Sequence, residues 1–421
     1  MSTFPAQVPT GWFLKISTFG RLLALFAVAS CAGSAQEWTR FRGPNGTGIS
    51  SARDVPVTWT EKDFRWRIPI SGESHSQPVI WGEKLFLLTA SKDGAERALL
   101  CLRKNDGSPL WKKTYPMPTD RPGNKNASFA NGSPVVGAER VVASFVSSEH
   151  FWVRCFSHSG DEIWQRDLGK FTSQHGHGAS PIIHGDHVIV TNDQDAESFI
   201  LALDLATGKT VWQTPRRAQL SGTSYCTPTV YTGSGLKPAI LVSSQPHGIS
   251  SLDLETGRVN WDSMPFTARA ITLPVVAGNL VVASAKNLLT AVRLDETAGG
   301  KPGSTAYTLK KAIPYVPVPI YRDGRLYVIS DAGVASALEA ATGRELWSER
   351  IGLEFFSSPV WIDGRIYAAS AKGEMVVFAA ADEFRLLARN PLGEGTRSTP
   401  CVDGDRIYMK TFSHLLCVGG N

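Results

Sequence analysis

The chain has 421 residues, of which 42% are hydrophobic and 19% charged, and its formal net charge is +5. That balance is too weak for a nucleic-acid footprint, and no basic run concentrates it. Its length would ordinarily suggest more than one domain, yet no linker, charge block or low-complexity stretch divides it.

Residues 1–35 carry no acidic side chain and only Lys15 and Arg21 as charges; the apolar run from Leu22 to Ala29 leads into Ser30, Ala32, Gly33, Ser34 and Ala35. Positive, apolar and small regions in that order are the layout of a secretory signal. The run is shorter than the ~20 apolar residues that span a bilayer. Ordinary cleavage after Ala35 is preferred over the alternative, in which Val28-Ala29-Ser30-Cys31 acts as a lipobox and Cys31 is lipidated. Export to the periplasm or cell envelope is expected, with membrane association only if Cys31 is lipidated. The domains are then a signal over 1–35 and one folded unit over 36–421.

Phe64-Arg65-Trp66-Arg67-Ile68-Pro69 is a strand-like segment standing ahead of a repeat. The repeat is marked by Pro78, Pro134, Pro181, Pro228, Pro274, Pro319, Pro359 and Pro400, spaced by 56, 47, 47, 46, 45, 40 and 41 residues. A period of that size, in eight copies, belongs to a solenoid or a propeller. A glycine precedes a tryptophan by four residues at Gly107/Trp111, Gly160/Trp164, Gly208/Trp212, Gly257/Trp261 and Gly343/Trp347. The third copy shows the unit: Ser180–Ile183, Val188–Thr191, Phe199–Asp204 and Thr210–Trp212, parted by Gly185-Asp186 and Thr207-Gly208-Lys209. Apolar runs this short, bounded by turn residues, are strands. Proline suits the first residue of a strand, where its missing N–H breaks no ladder bond.

The last copy ends after Leu415-Leu416-Cys417-Val418 without an outer strand, and Phe64 to Ile70 is the spare one. The predicted fold is therefore all-β, an eight-bladed propeller of four-stranded antiparallel blades closed by an N-terminal outer strand. Trp66, Trp111, Trp164, Trp212, Trp261 and Trp347 are expected to dock neighbouring blades through their apolar area. The fifth and seventh copies lack the tryptophan; Tyr307 and the stretch Phe384 to Leu387 are the expected replacements. Cys101, Cys155 and Cys417 occupy the slot that Ala202 fills in the third copy, which makes them small buried hydrophobes rather than a disulfide framework.

Ala202-Leu203-Asp204-Leu205-Ala206-Thr207-Gly208-Lys209-Thr210-Val211-Trp212 resembles the docking repeat of pyrroloquinoline-quinone (PQQ)-type propellers. Ser251-Leu252-Asp253 to Trp261 and Ala337-Leu338-Glu339 to Trp347 are near-copies. Trp38-Thr39-Arg40-Phe41-Arg42-Gly43-Pro44-Asn45-Gly46 is similar to the start of exported bacterial members. The resemblance implies the fold and not the cofactor. The catalytic members' Ca²⁺ site needs hard oxygen ligands, many carry adjacent cysteines, and no two cysteines are adjacent here. The chain looks more like the non-catalytic propellers of BamB type, which implies a binding or assembly scaffold with no cofactor. A quinone- or metal-dependent enzyme, with PQQ as cofactor, is the alternative.

The loops before each proline and those between second and third strands are expected to share the channel mouth, the usual place for binding residues on a rigid scaffold. They offer His75, Asn126, Asn131, His175, His177, Asp193, Asp195, Tyr225, Arg269, Tyr315, Lys372 and Arg397, with Phe129, Phe355 and Phe356 beside them. Arg269, Lys372 and Arg397 suit an anionic ligand or a carboxylate-bearing envelope protein. His175-Gly176-His177 places two imidazoles at i and i+2, and with Asp193 they form the donor set of a divalent-metal site. The favoured reading is plainer: Asp193 and Asp195 make Asx turns and the histidines cap backbone groups. No catalytic residue is assigned.

Overall fold

The computed structural model describes residues 38–118, 127–218, 223–233, 237–286 and 288–420. Cys31, Asn126 and the leader lie outside them. Eight antiparallel sheets follow one another, each an in-to-out run of four strands, with a short fifth strand added to one of them. The first strands are Val79–Trp81, Val135–Val136, Ile182–His184, Thr229–Tyr231, Val275–Ala277, Ile320–Arg322, Val360–Ile362 and Cys401–Asp403. Each begins one residue after a proline of the series, so the proline enters the blade without owing a ladder bond. We number the blades 1 to 8 in that order.

The ring closes as the sequence predicts. Phe64–Pro69 pairs antiparallel with His414–Gly419, setting Trp66 opposite Cys417 and Ile68 opposite Leu415, and gives blade 8 its outer strand. Closure leaves no blade short of its outer neighbour. Among the described residues no helix is long and apolar enough to cross a membrane.

Blades dock through the glycine and tryptophan series. Trp66, Trp111, Trp164, Trp212 and Trp261 lie over Gly107, Gly160, Gly208, Gly257 and Gly303 of the next blade. At Gly257 φ is +70°, and an added Cβ would come within 2.4 Å of the Trp212 ring, so both the turn and the contact require glycine. The indole N–H groups of Trp164, Trp212 and Trp347 donate to Leu205, Leu254 and Ala381 carbonyls at 2.9–3.0 Å. Tyr307 does the same work in blade 5: it lies over Gly343 and its hydroxyl donates to the Ala340 carbonyl at 2.7 Å.

Blade 7 departs from the expectation. Ala388, opposite Val377 before the bulge, holds the register position of the docking ring, and not Phe384 to Leu387. Phe384 instead packs on Trp347 of blade 6 with ring centroids 5.2 Å apart. The N-terminal segment brings an indole to this blade. Trp59 is buried in the apolar cluster shared by blades 7, 8 and 1, against which Ala388 packs, and its indole N–H donates to the Pro391 carbonyl at 2.9 Å. The cysteine slot has a matching cause: Cys101, Cys155 and Cys417 stand opposite Trp111, Trp164 and Trp66, where only a small side chain fits beside an indole. All five cysteines among the described residues are buried free thiols.

The axis of the ring is filled by the chain itself. Ile80 and Val136 donate to the Trp38 and Thr39 carbonyls at 2.8 Å, and Trp361 donates to the Gly48 carbonyl at 2.8 Å. Ile49–Ser50 then runs parallel to Trp361–Ile362 as an extra strand inside blade 7. Trp38 and Arg42 are fully buried in this plug. The similarity of this stretch to family members gives no sign of where it sits.

Candidate functional site

Two circles of residues, set by their distance from the prolines, build the channel mouth. Immediately before the prolines stand Gln77, Ser133, Ser180, Thr227, Leu273, Val318, Ser358 and Thr399. The backbone N–H of Gln77 donates to Ser133 Oγ, that of Ser133 to Ser180 Oγ and that of Ser180 to Thr227 Oγ1, at 2.9–3.0 Å. Val318 and Ser358 continue the pattern to Ser358 Oγ and Thr399 Oγ1 at 3.1 and 3.0 Å. Blades 1, 2, 3, 6 and 7 thus satisfy a buried N–H with the next blade's hydroxyl. The belt is interrupted at Leu273, Val318 and Gln77, which have no hydroxyl to offer.

Three residues before the prolines stand His75, Asn131, Gly178, Tyr225, Ile271, Val316, Phe356 and Arg397. All eight line one cavity of about 370 Å³, together with His175, Arg269, Tyr315 and Asp331, and with Phe41 of the plug. The plug therefore contributes to a mouth that leads into a filled axis. The wall is divided. Arg397, His75 and Asn131 on blades 8, 1 and 2 are polar, while Ile271, Val316 and Phe356 on blades 5 to 7 are apolar.

The cations are held by rings and hydrogen bonds. Arg397 lies between Phe356 and Phe412, 5.1 and 5.4 Å from their centroids, and Phe412 also meets His75 edge-on at 6.3 Å. Burial lowers the Arg397 pKa, with Glu354 opposing, but an arginine stays charged at neutral pH. Arg269 donates to Gln174 Oε1 at 3.2 Å and lies 5.9 Å from the Tyr225 centroid. Burial pushes the Tyr225 hydroxyl up to about 12, so it remains a neutral donor, and it meets Ser173 Oγ at 3.1 Å. His175 is held below its ordinary value by burial and then by Arg269, with Asp195 opposing, so its imidazole is neutral at pH 7. Asp331, missed by the sequence reading, is raised by burial against the backbone N–H groups of Tyr315 and Val316 that it accepts.

Of the residues expected at the mouth, the cavity brings together His75, Asn131, His175, Tyr225, Arg269, Tyr315, Phe356 and Arg397. Others lie elsewhere. Lys372 is exposed on the loop of blade 7. Phe355, expected in an exposed loop, is fully buried in the core of blades 6 and 7. Asp195 accepts from the Thr223 N–H and hydroxyl at 2.9 and 2.7 Å, tying two loops together. Asp193 is buried against Arg216 at 3.4 Å, and Arg216 donates onward to Ser244 and Ser250 at 2.8 Å.

The two histidines part company. His177 lines a separate cavity of about 210 Å³ that Phe129 and Phe171 also line, its ring packed on Phe151 and Phe171 at 4.7 and 5.2 Å. Gly176, at φ +75°, breaks the extended backbone that would have kept the imidazoles on one side. His175, His177 and Asp193 therefore do not converge. Among the described residues no group of three His, Cys, Asp or Glu side chains is placed to share an ion.

Comparison with known proteins agrees with the architecture. The PQQ_2 family model, described as outer membrane protein assembly factor BamB, matches residues 149–298 and 293–418. BamB of Yersinia pestis is 24% identical over 212 residues, 46% of this chain and 50% of that protein, so the chain spans about half the length of this curated relative. Among solved structures, a europium-containing methanol dehydrogenase superposes with a TM-score of 0.72 at 10% identity, covering 92% of this chain and 99% of its own. BamB from Moraxella catarrhalis gives 0.59 at 17% identity, over 84% and 96%. At such identities the structural likeness concerns the fold. Among the described residues Asp331 is the carboxylate that lines the mouth, and its oxygens accept the N–H groups of Tyr315 and Val316 at 2.6 and 3.2 Å. By the match over most of its length, the chain belongs to the PQQ-like propeller family described as outer membrane protein assembly factor BamB.

Proposed function

We propose that the protein is an exported binding or assembly scaffold of the cell envelope, without catalysis of its own. Its recognition surface is the channel mouth, and its partner is an envelope protein presenting an anionic group. One observation carries the reading: Arg269 and Arg397 are set among Tyr225, Phe356 and Phe412 around a cavity of about 370 Å³. Guanidinium groups fixed by aromatic faces are suited to bidentate capture of carboxylate or phosphate. The match to BamB proteins, assembly factors by name, supports the same reading. In this account residues 1–35 are removed on export, and no cofactor is assigned.

Purified full-length protein titrated with PQQ and Ca²⁺, followed by elemental analysis, separates scaffold from enzyme. The expected result is no stoichiometric quinone absorbance and no retained metal. A quinone spectrum at one equivalent would replace the scaffold by an oxidoreductase working at the mouth.

A further inference from the structure

The plug is bound to the ring in the way a ligand is bound to a receptor. We propose that residues 38–50 are a separable internal ligand, and that the channel they fill is a binding site for an extended peptide. The recognised pattern is a pair of arginines two residues apart, followed by an Asn-Gly turn.

Three observations carry this. The closing strand of blade 8 is Phe64–Pro69, so the ring is complete without the plug. The chain after the plug surfaces at Ser51, Arg53 and Asp54, which are exposed, before Val55 and Trp59 are buried against the blades. The contacts are specific and spread round the axis. Arg40 reaches the Pro228 carbonyl, and Arg42 donates to the Pro319 carbonyl at 3.1 Å and to Gly46 of the plug's own turn at 3.2 Å. The Arg42 N–H meets Gln77 Oε1 at 2.6 Å. Asn45 pairs both ways with the Val230 backbone, donating at 2.6 Å and accepting at 3.0 Å.

The chemistry explains why arginine is chosen. The wall offers backbone carbonyls beside the first strands, and a guanidinium's rigid fork can bond one of them and a second acceptor at once. Arg42 bridges a carbonyl of blade 6 and one of the plug, close to the place where Val318 interrupts the hydroxyl belt. A side chain buried this completely needs those acceptors, since an unpaired charge would be strongly unfavourable. Edge-strand addition by Ile49–Ser50 supplies sequence-independent affinity, and the arginines with Asn45 supply the selectivity.

The test uses the full chain with a protease site placed between Arg53 and Asp54. After cutting, a fluorescent synthetic peptide of residues 38–53 is added, and exchange is followed by anisotropy while melting of the ring is monitored. We expect saturable uptake at one peptide per ring, an unchanged cooperative melt, and at least roughly tenfold weaker uptake of the Arg42→Ala peptide, the effect of removing a charged buried donor. Loss of the cooperative melt on cutting would make the segment an integral part of the core and overturn the proposal. So would absence of exchange, or equal uptake of the Arg42→Ala peptide.

Discussion

At the scale of single residues, the buried imidazole of His177 sets a pH dependence. Its Nε2 is sealed from solvent without a hydrogen-bond partner, and burial pushes its pKa down to about 3. An unfolded imidazole titrates near the unperturbed value of about 6.5. Between these values the unfolded chain binds a proton that the folded chain refuses, so stability is complete above about 6.5 and falls as pH drops toward 3. His177→Leu is expected to lose less melting temperature than the parent between pH 7 and pH 4.5. Parallel losses would show that His177 is not the group refusing the proton. The same residue shows how far a motif can be taken from sequence. Two histidines at i and i+2 share a side only on extended backbone, and Gly176 is not extended. Tyr225, Phe356 and Arg397 were legible as mouth residues because each sits three positions before a proline. Asp331 was not, although it lies in a loop between second and third strands of the kind expected there, because the repeat does not show which loop side chains turn inward.

At the scale of the element, docking rings hold neighbouring blades together. Trp212 is 8% exposed, lies over Gly257 and donates to the Leu254 carbonyl. Trp212→Ala is expected to cost roughly 3–5 kcal/mol by removing a large buried aromatic. Phe412→Ala, at a ring 40% exposed on the mouth, is expected to cost much less. Denaturant titration of both variants compares them, and equal losses would contradict the docking role. The closing strand makes a second prediction. Deletion through Ala35 is expected to leave the melt unchanged, whereas deletion through Pro69 removes the outer strand of blade 8 and leaves His414–Gly419 as an edge open to aggregation. Light scattering on heating distinguishes them, and equal behaviour would count against closure by Phe64–Pro69. The strands were legible because proline, glycine and tryptophan recur with the blade. Blade 7 was misread because its docking position holds alanine, while the nearby Phe384 serves blade 6.

At the scale of the whole molecule, ring, belt and plug leave a mouth leading into a filled axis. The ring was legible in the sequence; the plug was not. Its partners lie far along the chain, 188 residues away for Arg40 and Pro228 and 277 for Arg42 and Pro319. They are backbone carbonyls, which leave no mark in side-chain patterning. The mouth was legible in part, since the prolines fix where its loops lie but not which side chains turn inward. Recognition at that mouth is the central claim, and photo-crosslinking tests it most directly. A photoreactive residue replaces Phe356 in the full chain, expressed in its native envelope, with and without Arg269→Ala and Arg397→Ala. The account predicts one discrete adduct with an envelope protein that is lost in the double-arginine variant and retained when the exposed Lys372 is changed to alanine. No adduct from position 356, or an adduct indifferent to both arginines, would contradict it.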